Sequence, residues 1–202
     1  MLMCPRPHRP LRDAVRGFTL VELLVSLAVF AILLGLAVPS MRDTLVRQQV
    51  RAASEALTQA MRLARSEAMR SGQGVTLCRS DDPTAAAPAC AAGGSKPYDW
   101  STGWILFKDR DLDGTFETTD GDVLLKVQNG FVTLGSLKGS VGTVTMQPMG
   151  IVAVPTAGFS FLIEPAGVST GSSVYDSIAR CLAASKPRRV KSQAPSQGCD
   201  SL

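Results

Sequence analysis

The sequence predicts an α+β fold. A long N-terminal helix, transmembrane in its first half and amphipathic in its second, packs on an antiparallel β-sandwich-like C-terminal domain. Three observations lead there. From Phe18 to Val38 run 21 residues with Glu22 as the only charge. Beyond Pro39 an apolar stripe continues at helical spacing towards Gly72. After Gly72 the pattern becomes that of short strands, punctuated by Gly, Pro, Asn and Asp.

At 1.5 Å per residue the apolar run spans roughly 31 Å, enough for a bilayer core. Arg6, Arg9, Arg12 and Arg16 precede it against the single acid Asp13. Positive charge stays inside, so the N-terminus is expected in the cytoplasm and everything after residue 40 on the far side. A cleaved secretory signal competes with this reading, because "LLGLAVPS" resembles a small-residue cleavage site. Glu22 weighs against the signal, since an intramembrane carboxylate is costly and usually has a partner.

Pro39 closes the apolar run without ending the helical period. Val46, Val50, Ala53, Leu57, Met61, Ala64 and Ala68 step by three or four and form one stripe. Arg47, Arg51, Glu55, Arg62, Ser66 and Arg70 lie mostly on other faces, with Arg51 and Glu55 spaced for an i, i+4 pair. Gly72 is placed to cap the C-terminus. The expected segments are a basic leader (1–17), a membrane half-helix (18–39), an amphipathic half-helix (40–72), a β domain (73–184) and a basic tail (185–202).

A chain of 202 residues with 45% hydrophobic and 19% charged residues can bury a real core, which excludes general disorder. The net charge of +4 says little about partners. Without residues 1–17 the chain has 17 basic against 16 acidic residues, so only a local cluster could argue for nucleic acid. Cys4 lies in the leader. The other four, Cys78, Cys90, Cys181 and Cys199, allow three pairings. Bridges between nearest neighbours, Cys78–Cys90 and Cys181–Cys199, are the simplest, and four buried free thiols are the alternative. Bridges require an oxidising compartment, in agreement with the topology.

Eight stretches read as strands: residues 74–78, 103–109, 122–127, 131–137, 143–147, 151–154, 159–164 and 177–183. A low-complexity loop, "SDDPTAAAPACAAGGSKP", separates the first two. Such spacing suits an antiparallel sandwich or open barrel resting on the helix stripe.

The segment "RGFTLVELLVSLAVFAIL" resembles the class III signal of type IV pilins and type II secretion pseudopilins. The resemblance implies cleavage by a prepilin peptidase between Gly17 and Phe18, N-methylation of Phe18, and a role in assembly for Glu22. In that family the glutamate of one subunit pairs with the new terminal amine of its neighbour. Physically, a buried carboxylate left unpaired costs several kcal/mol, so it favours an assembly that supplies a cation. A Glu22 that merely reaches the membrane interface is the milder alternative.

Three further segments resemble the GspH/FimT family of minor pseudopilins: "RLARSEAMRSGQGVTLC", "DWSTGWILFKDRDLDGTFETTDGDVLL", and "TMQPMGIV" followed by "ARCLAAS". The implied function is that of a minor pilin or pseudopilin subunit, serving pilus biogenesis or protein secretion. The implied partners are the prepilin peptidase, other major and minor pilins or pseudopilins, and the bacterial inner membrane, with the C-terminal domain periplasmic.

Two clusters are candidate binding sites. "DRDLDGTFETTD" places Asp109, Asp111, Asp113, Gly114, Glu117 and Asp120 at positions 1, 3, 5, 6, 9 and 12 of a calcium-loop template. Against calcium, the flanks read as strands and the last ligand position holds Asp rather than Glu, so an acidic hairpin loop is the simpler reading. No other cofactor is expected. "SKPRRVKSQ" concentrates Lys186, Arg188, Arg189 and Lys191 between two cysteines. FimT proteins of natural transformation carry a C-terminal Gly-Arg-x-Arg motif that contacts DNA. Here Arg189 matches, while Arg188 replaces the glycine and Lys191 the last arginine. Phosphate contacts need charge more than sequence, so DNA is the alternative partner, against a plain solvated tail. The only histidine, His8, lies in the leader, which removes Ser-His and Cys-His pairs and His-containing zinc sites from the mature chain. The sequence is not expected to encode an enzyme.

Overall fold

Helix α1 runs from Leu20 to Ser71, 52 residues, and position 39 does not interrupt it. The structure, a computed structural model, describes residues 18–94, 97–155, 158–185, 189–195 and 199, and at 36–40, 154, 185 and 189 the backbone alone. Two compact units divide the chain, residues 1–42 and 43–202. In the first unit the described helix side chains, Leu20 to Gly35, are exposed along their whole length. Among the described residues no helix is long and apolar enough to cross a membrane. The end of the apolar run, residues 36–40, lies outside the described side chains.

In the second unit α1 buries the expected stripe. Val50, Ala53, Leu57, Met61, Ala64 and Ala68 are buried, and Val46 is partly so. Ala60 joins them, and small residues at 53, 60, 64 and 68 let a sheet approach the helix closely. Arg51 and Glu55 form no ion pair; the helix pair is Glu67–Arg70, exposed at its arginine end.

Among the described residues ten strands form two antiparallel sheets. The first holds β1 (Gly74–Arg79), β3 (Gly103–Asp109), β4 (Val123–Asn129), β6 (Thr143–Met146) and β7 (Val152–Val154), in the order β4-β3-β1-β6-β7. The second holds β2 (Tyr98–Asp99), β5 (Ser136–Gly139), β8 (Phe159–Glu164), β9 (Arg180–Ser185) and β10 (Arg189–Gln193), in the order β10-β9-β8-β5-β2. Alternation decides what each strand contributes. Val75, Leu77, Trp104 and Leu106 of the first sheet and Leu137, Phe161, Ile163 and Leu182 of the second join the helix stripe in one core. Trp100 meets Phe161 edge-on at 5.0 Å and donates its indole N–H to the Val141 carbonyl at 2.8 Å.

The opposite face of the first sheet is covered as well. Cys78, Ile105 and Phe107 form a second cluster with Cys90, Phe116 and Val127. A disulfide between Cys78 and Cys90 pins the low-complexity loop over that face. Arg79 holds the same loop by donating to the Gly93 carbonyl at 2.6 Å, with its guanidinium 5.7 Å from the Tyr98 ring centre. The second disulfide, Cys181–Cys199, returns the C-terminal segment to β9.

The strand expectations need four corrections, the first being β2, which falls where no strand was expected. Residues 131–135 turn, and the strand begins only at Ser136. Ser173–Ile178 form a short helix, α2, where part of a strand was expected. The Ser172 hydroxyl caps α2 by accepting the Tyr175 N–H at 3.1 Å, and Tyr175 and Ile178, three apart, bury one face. Arg189–Gln193, assigned above to a basic tail, pair with β9 as an edge strand.

Candidate functional site

At the start of α1 the Thr19 side-chain oxygen accepts the Glu22 backbone N–H at 3.2 Å, and the Leu23 N–H reaches the Thr19 carbonyl at 3.1 Å. Thr19 is therefore the N-cap, and Glu22 sits in the first turn, three residues on. Thr-x-x-Glu is the capping-box spacing, and a carboxylate there also complements the positive end of the helix dipole. The Ser26 hydroxyl bonds the Glu22 carbonyl at 2.7 Å. Phe18 is exposed, two residues ahead of the helix. Gly17 lies outside the described residues. The hydrophobic pattern conceals the role of Thr19; the cap spacing is the signal that reveals it.

The acidic loop leaves β3 at Asp109, which is fully buried. Its carboxylate accepts the Thr76 hydroxyl at 2.6 Å and the N–H groups of Leu112 at 2.7 Å and Gly114 at 3.0 Å. Burial pushes the Asp109 carboxyl above the usual carboxylate range, and these three bonds oppose it without cancelling it. Asp122, at the other end of the loop, accepts the N–H groups of Arg110 at 3.0 Å and Glu117 at 3.1 Å. Two buried carboxylates thus hold the loop's backbone, including Leu112 in the left-handed region at φ 66°.

The candidate cation ligands fall differently from the calcium-loop template. Carboxylate oxygens of Asp109, Asp111 and Asp122 lie within 4.8 Å of one another, a donor set suited to a hard cation. Asp113 instead accepts the Thr115 N–H at 2.7 Å, and Asp120 is exposed in a 3-10 turn, Thr118–Asp120. Flanking strands close a hairpin here, which brings in Asp122 rather than the twelfth loop residue. The nearby Asp120 charge raises the Glu117 carboxyl, so the exposed rim of the loop is a crowd of like charges.

The basic cluster is only partly placed. Lys186 and Arg188 lie outside the described residues. Arg189 opens β10, and Lys191 is exposed on it. Trp100 and Trp104 are buried core residues.

Comparison with known proteins bears on both units. The family model "Type II transport protein GspH" matches residues 53–185, and the "Prokaryotic N-terminal methylation motif" matches residues 12–38. Among curated proteins none matches the sequence. The fold is similar to the crystal structure of the type IV minor pilin FimU from Pseudomonas aeruginosa. One crystal form is 20% identical with a TM-score of 0.51, covering 75% of this chain and 92% of that one. A second form is 21% identical with a TM-score of 0.49, covering 73% and 94%. The minor pseudopilin EpsH from the type 2 secretion system of Vibrio cholerae is 14% identical, covering 74% and 99%, with a TM-score of 0.46. A methylation motif that runs into a capped helix, followed by a family match over the β domain, identifies the kind of protein. The chain belongs to the GspH family of type II transport proteins and carries the prokaryotic N-terminal methylation motif ahead of it.

Proposed function

We propose that the chain is a structural subunit made as a prepilin. The prepilin peptidase cuts between Gly17 and Phe18, Phe18 becomes the N-methylated terminus, and Glu22 guides the subunit into register with its neighbour. Before assembly the protein crosses the bacterial inner membrane once through residues 18–39, with its N-terminus cytoplasmic and the β domain periplasmic.

The observation that carries this reading is the cap at Thr19. Cleavage after Gly17 would put a positive amine immediately ahead of a preformed helix terminus. The first-turn Glu22 then has two sources of favourable charge, its own helix dipole and the terminal amine of another subunit. In an apolar surround the second contributes most, because an unpaired buried carboxylate is the costliest alternative. The two disulfides agree with a periplasmic domain. Capture of DNA by Lys186, Arg188, Arg189 and Lys191 is the alternative role, supported by the exposure of Lys191 on an edge strand.

The test is the N-terminal mass of the chain coexpressed with a prepilin peptidase. A singly methylated Phe18 terminus is expected. A terminus near Ser40 would mean a cleaved signal and would overturn the membrane-anchored reading.

A further inference from the structure

Among the described residues every cysteine is bridged, so the oxidisable sulfur left in the second unit belongs to its methionines. Met61 and Met146 are buried, whereas Met69 is 52% and Met149 75% exposed. The two exposed thioethers have different surroundings. Met149 stands out on the turn between β6 and β7, beside Pro148, which is also exposed. Met69 lies near the end of α1, four residues beyond Arg65, so the two side chains share a helix face. Both reach Gly150, which is buried and sits in the left-handed region at φ 70°. A Cβ there would lie 2.9 Å from Met69 Sδ and 3.1 Å from Arg65 Nε, so sulfur and guanidinium crowd one point.

That neighbour bears on thioether chemistry. A sulfur lone pair attacks one oxygen of hydrogen peroxide, the O–O bond breaks, and the other oxygen leaves as hydroxide. The proton on the sulfur-bound oxygen then passes to the hydroxide, giving sulfoxide and water. Negative charge grows on the departing oxygen, and a guanidinium beside the sulfur stabilises it by donating an N–H. Among the described residues no ion pair occupies Arg65.

The product disturbs its own seat. Met69 Sδ and Cγ cover Gly150, and Gly150 closes the turn by donating its N–H to the Gln147 carbonyl at 2.7 Å. The strand that follows, β7, is a three-residue edge paired to β6, with a register shift between Thr145 and Met146. So short an edge depends on its turn. A sulfoxide is polar and moves towards water or the guanidinium, which uncovers Gly150.

We propose that Met69 is an oxidation site, at which peroxide assisted by Arg65 forms a sulfoxide that loosens the β6–β7 hairpin. The experiment treats the full chain in membranes with hydrogen peroxide and follows each methionine peptide by mass. Exposure alone ranks Met149 first; the Arg65 contact should put Met69 first, by about fivefold. Arg65→Gln should slow Met69 by a similar factor and leave Met149 at the wild-type rate, which reports an intact fold. Amide exchange at residues 151–153 should rise as Met69 is converted. In Met69→Leu, peroxide should leave that exchange unchanged while Met149 still oxidises. A Met149 rate equal to or above that of Met69, a Met69 rate indifferent to Arg65→Gln, or unaltered exchange after conversion of Met69 would overturn the proposal.

Discussion

The Thr76 hydroxyl and the Asp109 carboxylate meet at 2.6 Å between β1 and β3, both fully buried, and the Thr145 hydroxyl lies 2.8 Å from that of Thr76. This polar chain anchors the acidic loop to the middle of the first sheet. Asp109→Ala would strand one hydroxyl and two backbone N–H groups, an expected loss of about 3 kcal/mol by urea denaturation. The pH dependence has a definite sign. A carboxyl raised in the folded state contributes stability that is fully present below its unfolded pKa and lost as pH rises through its folded pKa. Wild type should therefore gain on Asp109→Asn as the solution is acidified from neutrality.

Glu164 should behave in the opposite way. Burial alone would raise it, but bonds from Lys138 at 2.7 Å, the Ser136 hydroxyl and the Tyr175 hydroxyl at 2.8 Å together bring it below the usual range. Its contribution is present above the unfolded pKa and is lost as pH falls through the lowered folded value. Glu164→Gln should cost about 2 kcal/mol at pH 7 and progressively less in acid. Denaturation curves that stay parallel down the pH scale would contradict this.

Removing the Cys78–Cys90 bridge by double alanine substitution should lower stability by about 3 kcal/mol, the loop-closure value for a separation of this size. Hydrogen exchange should rise first at Ile105 and Phe107, which the pinned loop covers. A loss confined to residues 80–97 would mean that the outer cluster holds without the bridge.

Gly103 sits at φ 116°, and a Cβ there would lie 2.3 Å from the Gln128 carbonyl oxygen on the adjacent strand. Gly103→Ala should destabilise by about 2–3 kcal/mol, since neither backbone can yield without disturbing the β3–β4 ladder. Thermal melts would read this directly.

Asp109 and Asp122 between them already accept five hydrogen bonds from the protein. A calcium ion at the Asp109, Asp111 and Asp122 oxygens would have to share them with these donors, which already offset much of the carboxylates' charge. Adding calcium or a chelator is therefore expected to move the melting temperature by less than about one degree. A rise of several degrees with calcium, abolished by Asp111→Asn, would make the loop a cation site.

Much of the architecture is legible in the residues because it depends on local period. The stripe from Val50 to Ala68 needs only helical spacing to be found, and β3 and β8 coincide with apolar runs bounded by turn residues. The N-terminal signal is equally local, a glycine, an apolar residue and a spaced glutamate in one run. Local pattern fails where partners are distant. Residues 177–178 read as the start of a strand, yet burial of Tyr175 and Ile178 against the rest of the fold holds Ser173–Ile178 as a helix. β10 exists because β9 offers an edge to a basic segment that would otherwise read as tail.

The sequence by itself determined the long helix and the class of domain, since each follows from spacing along the chain. Only the tertiary structure decided that Asp122 rather than Asp120 joins Asp109, and that Arg180 shares one surface depression with Arg51 and Arg62. Those groupings bring together residues 11 to 129 positions apart in sequence once hairpin closure and sheet order are set, and no local period encodes either.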